Sequence, residues 1–305
     1  MNKQKFIEVL VQEVQTKMGD NYKVSAQKVT KNNGLELSGI TILKNGESMS
    51  PNVYVEQSYM DYCNGKPISS IVYEVIEIHN KALRETSFSV VDFMDFEQVK
   101  DKIILRVINY EQNKKDLDNA PHVKFLDLAI TFRYLAEHKE DGIASSLIHN
   151  SEFEAWNVDK ADLYNIALEN TEREFPAKIE SMFNFIISQA PAELRQMLKE
   201  EVGLETDEIE KDMYILSNKN GLNGATCILY KNVVARFANE NDCDLYILPS
   251  SIHEMLLVPV KGQFNADDLS DMVNEANRTA VGLSDYLSDS VYFFDRRTEE
   301  FSIIK

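Results

Sequence analysis

Large apolar side chains recur at every second position between residues 126 and 134, and this alternation is the strongest single constraint on the fold. Successive side chains of a β-strand point to opposite faces, so a period of two predicts a strand with one buried face. A shift by one residue would bury Asp127 and Arg133, which fixes the register. The Asp141-Gly142 pair favours a turn, so the pattern predicts a β-hairpin.

Four other segments repeat apolar residues with the 3.6-residue period of an amphipathic helix, and each has a recognisable end. Gly19 follows the first segment, where a left-handed cap residue is favoured. Pro67 opens the second, because the first helical turn tolerates a missing N–H. Asp159 and Asn265 can accept hydrogen bonds from free N–H groups at the start of the third and fourth. The four apolar stripes begin at Phe6, Ile68, Tyr164 and Leu269.

Further strands are predicted where short apolar runs lie between turn residues. These runs cover residues 22–29, 35–43, 103–110, 143–148, 213–216, 225–230, 245–248, 255–260, 291–294 and 301–304. The sequence therefore predicts an α+β fold, with mixed or mainly antiparallel sheets packed against amphipathic helices in two lobes. The polar stretch from Glu111 to Pro121 marks the boundary, which gives lobes at residues 1–115 and 122–305.

The chain is acidic, with a formal net charge of −18 over 305 residues. Affinity for nucleic acid comes largely from Lys and Arg side chains that displace counterions, so direct nucleic-acid binding is disfavoured. Acidic residues are concentrated between Glu193 and Asp212. A solvated linker that keeps the protein soluble is the simpler interpretation of this segment, and an acidic face that mimics nucleic acid is the alternative.

The location of the protein is predicted from its apolar runs and its cysteines. No apolar run approaches the roughly 20 residues of a membrane-crossing helix, and residues 1–18 show helical periodicity instead of a signal-peptide core. Cys63, Cys227 and Cys243 show neither C-x-x-C spacing nor the density of a disulfide scaffold, so we interpret them as thiols in a reducing compartment. We therefore predict a cytoplasmic protein without membrane contact.

The most unusual local string is Leu245–Val258, in which two apolar runs flank a short polar turn. This turn would present Ser250, Ser251, His253 and Glu254 together at one end of a buried sheet. Loops held by rigid strands often carry function. We interpret His253 first as a structural or ligand-orienting residue. Since a hydroxyl, an imidazole and a carboxylate are also the components of nucleophilic catalysis, a hydrolase that uses Ser250 or Ser251 with His253 is the alternative.

Known catalytic and metal-binding signatures are missing from the sequence. There is no G-x-S-x-G elbow, and no second histidine follows His253 at the spacing of a zinc protease. The other histidines are not clustered at metal-ligand spacing. The sequence therefore predicts neither a metal nor a cofactor, and a catalytic residue cannot be assigned.

A second polar string, Ser217–Ala225, lies between two apolar runs. Its glycines could let backbone N–H groups approach an anion, but it has neither a Walker Lys-Ser/Thr pair nor a G-x-G-x-x-G motif. A turn rich in Asn and Gly is the simpler interpretation. If both polar strings fold onto one sheet, Asn218, Asn220 and Asn223 would lie beside the Ser250 turn and form one pocket with it.

Four further segments are informative when taken together: Lys124–Leu135, Trp156–Pro176, Leu216–Ala225 and Leu248–Glu254. They resemble a bacterial family of unknown function that is found in gut-dwelling Gram-positive anaerobes. The similarity spans most of the chain and implies a cytoplasmic bacterial setting. The resemblance carries over no catalytic residues, so it leaves the activity open.

The leading hypothesis is a non-enzymatic binding or regulatory module with an unknown protein or small-molecule partner. It would contact that partner through the Asn218 loop and the turn from Ser250 to Glu254. The reason is that polar residues are concentrated at strand ends without a complete catalytic constellation. The hydrolase and the acidic nucleic-acid mimic are the two rival hypotheses.

Overall fold

A computed structural model of the protein describes residues 1–47, 50–85, 92–139, 142–191, 213–261 and 264–304. The chain divides into two units, which we call unit 1 (Met1–Val90) and unit 2 (Val91–Lys305). Within the described ranges, none of the helices combines the length and the apolar character that a bilayer crossing needs.

Unit 1 packs helices against a small antiparallel sheet with the strand order β1-β2-β3. In chain order its described elements are α1 (Lys3–Met18), β1 (Tyr22–Thr30), a 3-10 turn (Asn32–Gly34), β2 (Glu36–Lys44), β3 (Asn52–Tyr54), α2 (Glu56–Cys63) and α3 (Ile68–Glu85). Its core is formed by apolar side chains from α1, α3 and the sheet, which include Phe6, Leu10, Val14, Ile40, Ile42, Ile71 and Val75.

The predicted carboxy-terminal end of α1 and the predicted start of α3 are confirmed. Asn2 caps α1 by accepting a hydrogen bond from the Lys5 backbone N–H, and Gly19 ends the helix at a φ of 75°. Glycine adopts this φ without steric penalty. Pro67 precedes α3, and its carbonyl oxygen accepts from the Ser70 N–H at 3.0 Å.

His79 is a buried side chain of α3, and neither of its ring nitrogens has a hydrogen-bond partner among the described residues. Burial lowers its pKa below the ordinary value of 6.5, against a smaller opposing effect of Glu47. In the unfolded chain His79 therefore binds a proton near pH 6.5, whereas in the folded protein it binds one only at a lower pH. The stability that the neutral His79 side chain contributes is complete above pH 6.5 and is lost as the pH falls toward the lowered pKa of the folded state.

We expect His79→Leu to remove part of the acid sensitivity of unit 1 and to stabilise it by about 1 kcal/mol or more at pH 7.5, because a buried polar group without a partner carries its full desolvation cost. Hydrogen exchange of the α3 amides at pH 7.5 and pH 5 measures this, with each variant compared with wild type at the same pH. Glu77→Gln on the exposed face of α3 is the control. Equal losses on acidification in wild type and His79→Leu would contradict the assignment.

Unit 2 contains two further antiparallel sheets. In chain order its described elements are α4 (Phe96–Val99), a 3-10 turn (Lys100–Lys102), β4 (Ile103–Asn109), α5 (Lys114–Leu117), β5 (His122–Phe125), β6 (Leu128–Lys139), β7 (Gly142–Leu147), α6 (Asn150–Trp156), α7 (Lys160–Glu174), β8 (Ala177–Ser181), α8 (Met182–Gln189), β9 (Tyr214–Asn218), a 3-10 helix (Gly224–Leu229), α9 (Val233–Glu240), β10 (Leu245–Ser251), β11 (Glu254–Pro259), α10 (Ala266–Thr279), β12 (Tyr292–Asp295) and β13 (Glu300–Ile303). The predicted α+β class is confirmed.

The smaller sheet of unit 2 has the order β4-β6-β5, and β7 also pairs with β6. The larger sheet has the order β13-β12-β10-β11-β9-β8. Because β4 pairs with β6 along its whole length, it belongs to unit 2, whereas the division at residue 115 placed it in the amino-terminal lobe. The structural boundary therefore lies earlier in the chain, at residues 90 and 91.

Strand β6 is confirmed, but the prediction of a single buried face is wrong. Ala129 and Thr131 on its second face are as buried as their neighbours on the first. The reason is that this face is covered as well: Phe175 packs on Leu135, and Leu117 packs on Ala129. When a strand is buried on both faces, the alternation of apolar residues does not reveal that the second face is buried.

Asp127 was assigned to the polar face of β6, and this is also wrong. Phe125 pairs with Leu128, so Leu126 and Asp127 form the two-residue turn between β5 and β6. Leu126 has a φ of 55°, which ends the strand before Asp127. The Asp127 carboxylate is therefore separated from Arg133 and bonds to the carboxy-terminal part of unit 2 instead.

The strand predicted at residues 225–230 is wrong as well, because this run forms the 3-10 helix Gly224–Leu229. Asn223 precedes it with a φ of 55°. Short apolar runs are compatible with either strand or buried helix. In this protein the edge of β4 favours the helix. The Thr226 hydroxyl in the 3-10 helix accepts a hydrogen bond from the Val107 N–H of β4 at 3.2 Å.

Helix caps and the other hairpins of unit 2 agree with the sequence. Asp159 accepts from the Ala161 N–H at 2.7 Å, and Asn265 accepts from the Asp268 N–H at 2.9 Å. The pairings of β6 with β7 and of β12 with β13 are also present. The predicted turn residue Asp141 and the acidic segment at 193–212 lie outside the described residues.

Candidate functional site

Antiparallel pairing of β9 with β11 brings the two predicted polar strings together. β9 ends at Asn218 and β11 begins at Glu254. In an antiparallel pair, the end of one strand lies beside the start of the other. The asparagine loop (residues 218–224) and the serine turn (residues 250–254) therefore occupy the same end of the larger sheet.

Hydrogen bonds join the asparagine loop and its flanks to the serine turn. Ser217 Oγ donates to the His253 carbonyl oxygen at 2.7 Å, and the Asn223 N–H donates to His253 Nδ1 at 3.2 Å. The Ala225 N–H donates to the Ile252 carbonyl oxygen at 3.2 Å. Because Nδ1 accepts, that nitrogen carries no proton while the bond is made. The two polar strings thus form one continuous surface.

Asn218 organises the asparagine loop from within. Its side-chain amide donates to the Leu222 carbonyl oxygen at 2.7 Å, and its side-chain oxygen accepts from the Asn220 and Leu222 N–H groups at 3.1 and 3.3 Å. Gly221 adopts a φ of 66° at the tip. Since both ends of the amide are engaged and the residue is buried, Asn218 shapes the site instead of offering free hydrogen-bonding groups to a ligand.

The serine turn is organised around a carboxylate. The hydroxyls of Ser250 and Ser251 both donate to Glu254 Oε1, at 3.0 and 3.1 Å. The Ser251 hydroxyl also accepts from the His253 N–H at 3.0 Å. The imidazole faces elsewhere, with Nε2 at 3.7 Å from Asp285 Oδ1. Neither serine hydroxyl bonds to the His253 ring in the described structure, so a serine nucleophile activated by this histidine is not assembled.

A cavity of about 510 Å³ opens beside these loops, and we call it the outer cavity. Asn218, Asn220, Ser250 and Glu254, all predicted from the sequence, line it. Ser251, His253 and Asn223 do not line it. The remaining lining residues come from β8, α8, β9, the asparagine loop and β11: Lys178, Glu180, Met182, Phe185, Ile215, Ser217, Lys219, Gly221 and Leu256.

The sequence analysis missed several polar side chains at this end of unit 2. His138 Nε2 lies 3.1 Å from Asn220 Nδ2, and Asp285 faces His253. Arg106 and Arg133 line a second, smaller cavity on another side of the asparagine loop. Arg106 does carry a sequence signal, because it is a charged residue inside the apolar run of β4. The two histidine contacts carry none, because they join segments that are distant in the chain.

Comparison with known protein families locates the chain among its relatives. A model of the Family of unknown function (DUF5688) matches residues 3–296. The chain belongs to this family. Membership in DUF5688 agrees with the family of unknown function suggested by the sequence, whereas the bacterial and gut-anaerobe setting stays a prediction. No curated protein and no solved structure matches the chain at a significant level.

Proposed function

We propose that the protein is a non-enzymatic binding module of the cytoplasm that holds a small polar molecule in the outer cavity. The observation that carries this proposal is the meeting of two polar loops around one cavity of about 510 Å³. Cavities that bind small ligands typically measure about 300–1,000 Å³ and combine apolar walls with a few convergent polar groups.

The lining of the outer cavity indicates the chemistry of its ligand. Ile215, Phe185 and Leu256 supply apolar surface. Both serine hydroxyls donate to Glu254 Oε1, and no described residue donates to Oε2. Lys219 lines the cavity, and the ion pairs among the described residues, such as Lys178 with Glu180 at the same cavity, do not include it. A molecule with an amino group for Glu254, an acceptor for Lys219 and a short apolar portion complements this surface.

Binding can be tested with amino acids, dipeptides and polyamines as probes, by thermal shift and by ¹H–¹⁵N chemical-shift mapping. We expect at least one amine-bearing probe to bind and Glu254→Gln to weaken it by about tenfold or more, since a lost charge-assisted hydrogen bond costs about 1.5–3 kcal/mol. Glu275→Gln on α10 removes a carboxylate away from the cavity and is the control. Binding that Glu254→Gln leaves unchanged, or no binding by any probe, would reject the proposal.

The two rival functions have less support. A hydrolase needs a hydrogen bond between nucleophile and base, and the serines bond to Glu254 instead of the His253 ring. Burial raises the pKa of the Cys227 thiol to about 12, so this thiol is protonated and unreactive at neutral pH. The acidic nucleic-acid mimic depends on residues 193–212, which the structure does not describe, and it stays a prediction from charge.

A further inference from the structure

Another cavity of unit 2 is lined by the edge strand β5 of the smaller sheet and the edge strand β13 of the larger sheet, and we call it the aromatic cavity. It measures about 320 Å³. The rest of its wall comes from β6, α7, the 3-10 helix Gly224–Leu229, α9 and β12. No described residue lines both this cavity and the outer cavity, so the two are separate sites.

Three phenylalanines form a cluster in the wall of the aromatic cavity. The ring centroid of Phe301 lies 5.4 Å from that of Phe125 and 4.9 Å from that of Phe294, at interplanar angles of 73° and 54°. These are the edge-to-face and tilted arrangements that aromatic rings prefer. Ile130 and Ile228 add buried aliphatic surface to the same wall. A flat aromatic molecule would extend this cluster and cover its apolar surface.

The charged side chains of the lining are those of Lys124 and Glu299, and both residues are exposed. Their charges are opposite, so the described lining has no net charge. Lys124 Nζ also lies 4.8 Å from the ring centroid of Tyr110, which does not line the cavity. Transfer of an ion into apolar surroundings without a partner is strongly unfavourable. The aromatic cavity therefore favours a neutral ligand over an ion.

Tyr164 of α7 contributes a half-buried phenol to the lining. The hydrogen bonds among the described residues, such as those of the Tyr230 hydroxyl to the Thr171 and Phe175 carbonyl oxygens, do not include the hydroxyl of Tyr164. Burial raises the pKa of Tyr164 above its ordinary value, with a smaller effect of Glu172, so the phenol is protonated at neutral pH. Because a phenol both donates and accepts hydrogen bonds, this hydroxyl can bond to one polar group of a ligand.

We propose that the aromatic cavity binds a neutral, flat aromatic compound of two fused rings that carries one N–H or O–H group. An apolar cavity of about 150 Å³ holds benzene, so about 320 Å³ accommodates a bicyclic molecule. The rings pack on the phenylalanine cluster, and the N–H or O–H group bonds to the Tyr164 hydroxyl. Indole is a probe with both features. The proposal does not depend on the ligand of the outer cavity, because the two cavities share no described residue.

Titration of the full chain with indole, followed in ¹H–¹³C spectra of labelled isoleucine methyl groups, tests the proposal. We expect saturable shifts of the Ile130 and Ile228 signals, with a Kd below about 1 mM, and no shift of Ile215, which lines the outer cavity. Tyr164→Phe should weaken the binding of indole about fivefold and leave that of benzothiophene, a bicyclic probe without N–H, unchanged. Tyr246→Phe removes the hydroxyl of a half-buried tyrosine outside both cavities and should behave like wild type.

Nonanoate, a flexible chain with a negative charge, is the probe for the opposite ligand chemistry and should bind more weakly than indole. Tighter binding of nonanoate than of indole at this cavity would overturn the proposal. So would a titration in which the Ile130 and Ile228 signals do not shift saturably, or in which Ile215 shifts more than they do. An equal effect of Tyr164→Phe on indole and benzothiophene would show that the hydroxyl bonds to neither, and would overturn it as well. The wild-type titration needs no variant, so a folding defect of Tyr164→Phe would not prevent the decision.

Discussion

Gly224→Ala is expected to lower the free energy of unfolding of unit 2 by about 3 kcal/mol, at the upper end of the range for overpacked sites. Gly224 lies where the asparagine loop crosses the serine turn. A Cβ atom there would lie 2.1 Å from Ser217 Oγ, 2.5 Å from the His253 carbonyl oxygen and 2.7 Å from the Asn218 backbone nitrogen. Two of these atoms belong to the backbone and cannot move without separating the loops.

Urea unfolding followed by the fluorescence of Trp156, a buried residue of unit 2, measures the effect. Gly282→Ala is the matched control, because its nearest added contact is an ordinary 3.9 Å. The double variant Ser217→Gly with Gly224→Ala should recover only part of the loss, since the two backbone contacts remain. Equal stability of the two alanine variants would show that the loops do not meet as described.

Asp127→Ala is expected to lower the free energy of unfolding of unit 2 by about 4 kcal/mol, because it leaves two buried donors and one half-buried donor without an acceptor. Asp127 Oδ2 accepts from the Ser288 and Ser290 hydroxyls at 2.6 and 2.9 Å, and Oδ1 accepts from the Tyr292 hydroxyl. Ser288 and Tyr292 are completely buried. Burial and the charge of Asp127 raise the pKa of Tyr292 above its ordinary value, so the phenol stays a donor.

The same urea titration measures the Asp127→Ala effect. Asp118→Ala, an exposed aspartate nearby in the chain, should change stability by no more than about 0.5 kcal/mol. Asp127→Asn retains one acceptor oxygen and should fall between the two, at a loss of about 2 kcal/mol. If Asp127→Ala unfolds at the same urea concentration as Asp118→Ala, the carboxylate does not hold the carboxy-terminal segment in place.

The site itself was partly predictable from the sequence. Ser250 and Glu254 stand in a polar turn between two apolar runs, and Asn218 and Asn220 stand at the end of another run. Their proximity depends on the antiparallel pairing of β9 with β11, which the sequence does not specify. What each side chain does there did not follow: Asn218 folds its own loop, and His253 receives a backbone N–H instead of a serine proton.

The sequence by itself determined the elements whose signals are local. Gly19, Asp159 and Asn265 act on backbone groups within a few residues of themselves, so these helix ends could be predicted. Apolar alternation likewise located β6, because a strand's side-chain period depends only on its own backbone.

Only the tertiary structure decided how the buried polar groups are satisfied. Asp127 bonds to residues more than 160 positions later, and Thr226 meets the edge of β4 from 119 positions away. The smaller cavity lined by Arg106 and Arg133 likewise forms where β4, β6, β7 and the asparagine loop converge. A buried charge or N–H must find a partner wherever packing places one, and that choice is made by the whole fold, not by neighbouring residues.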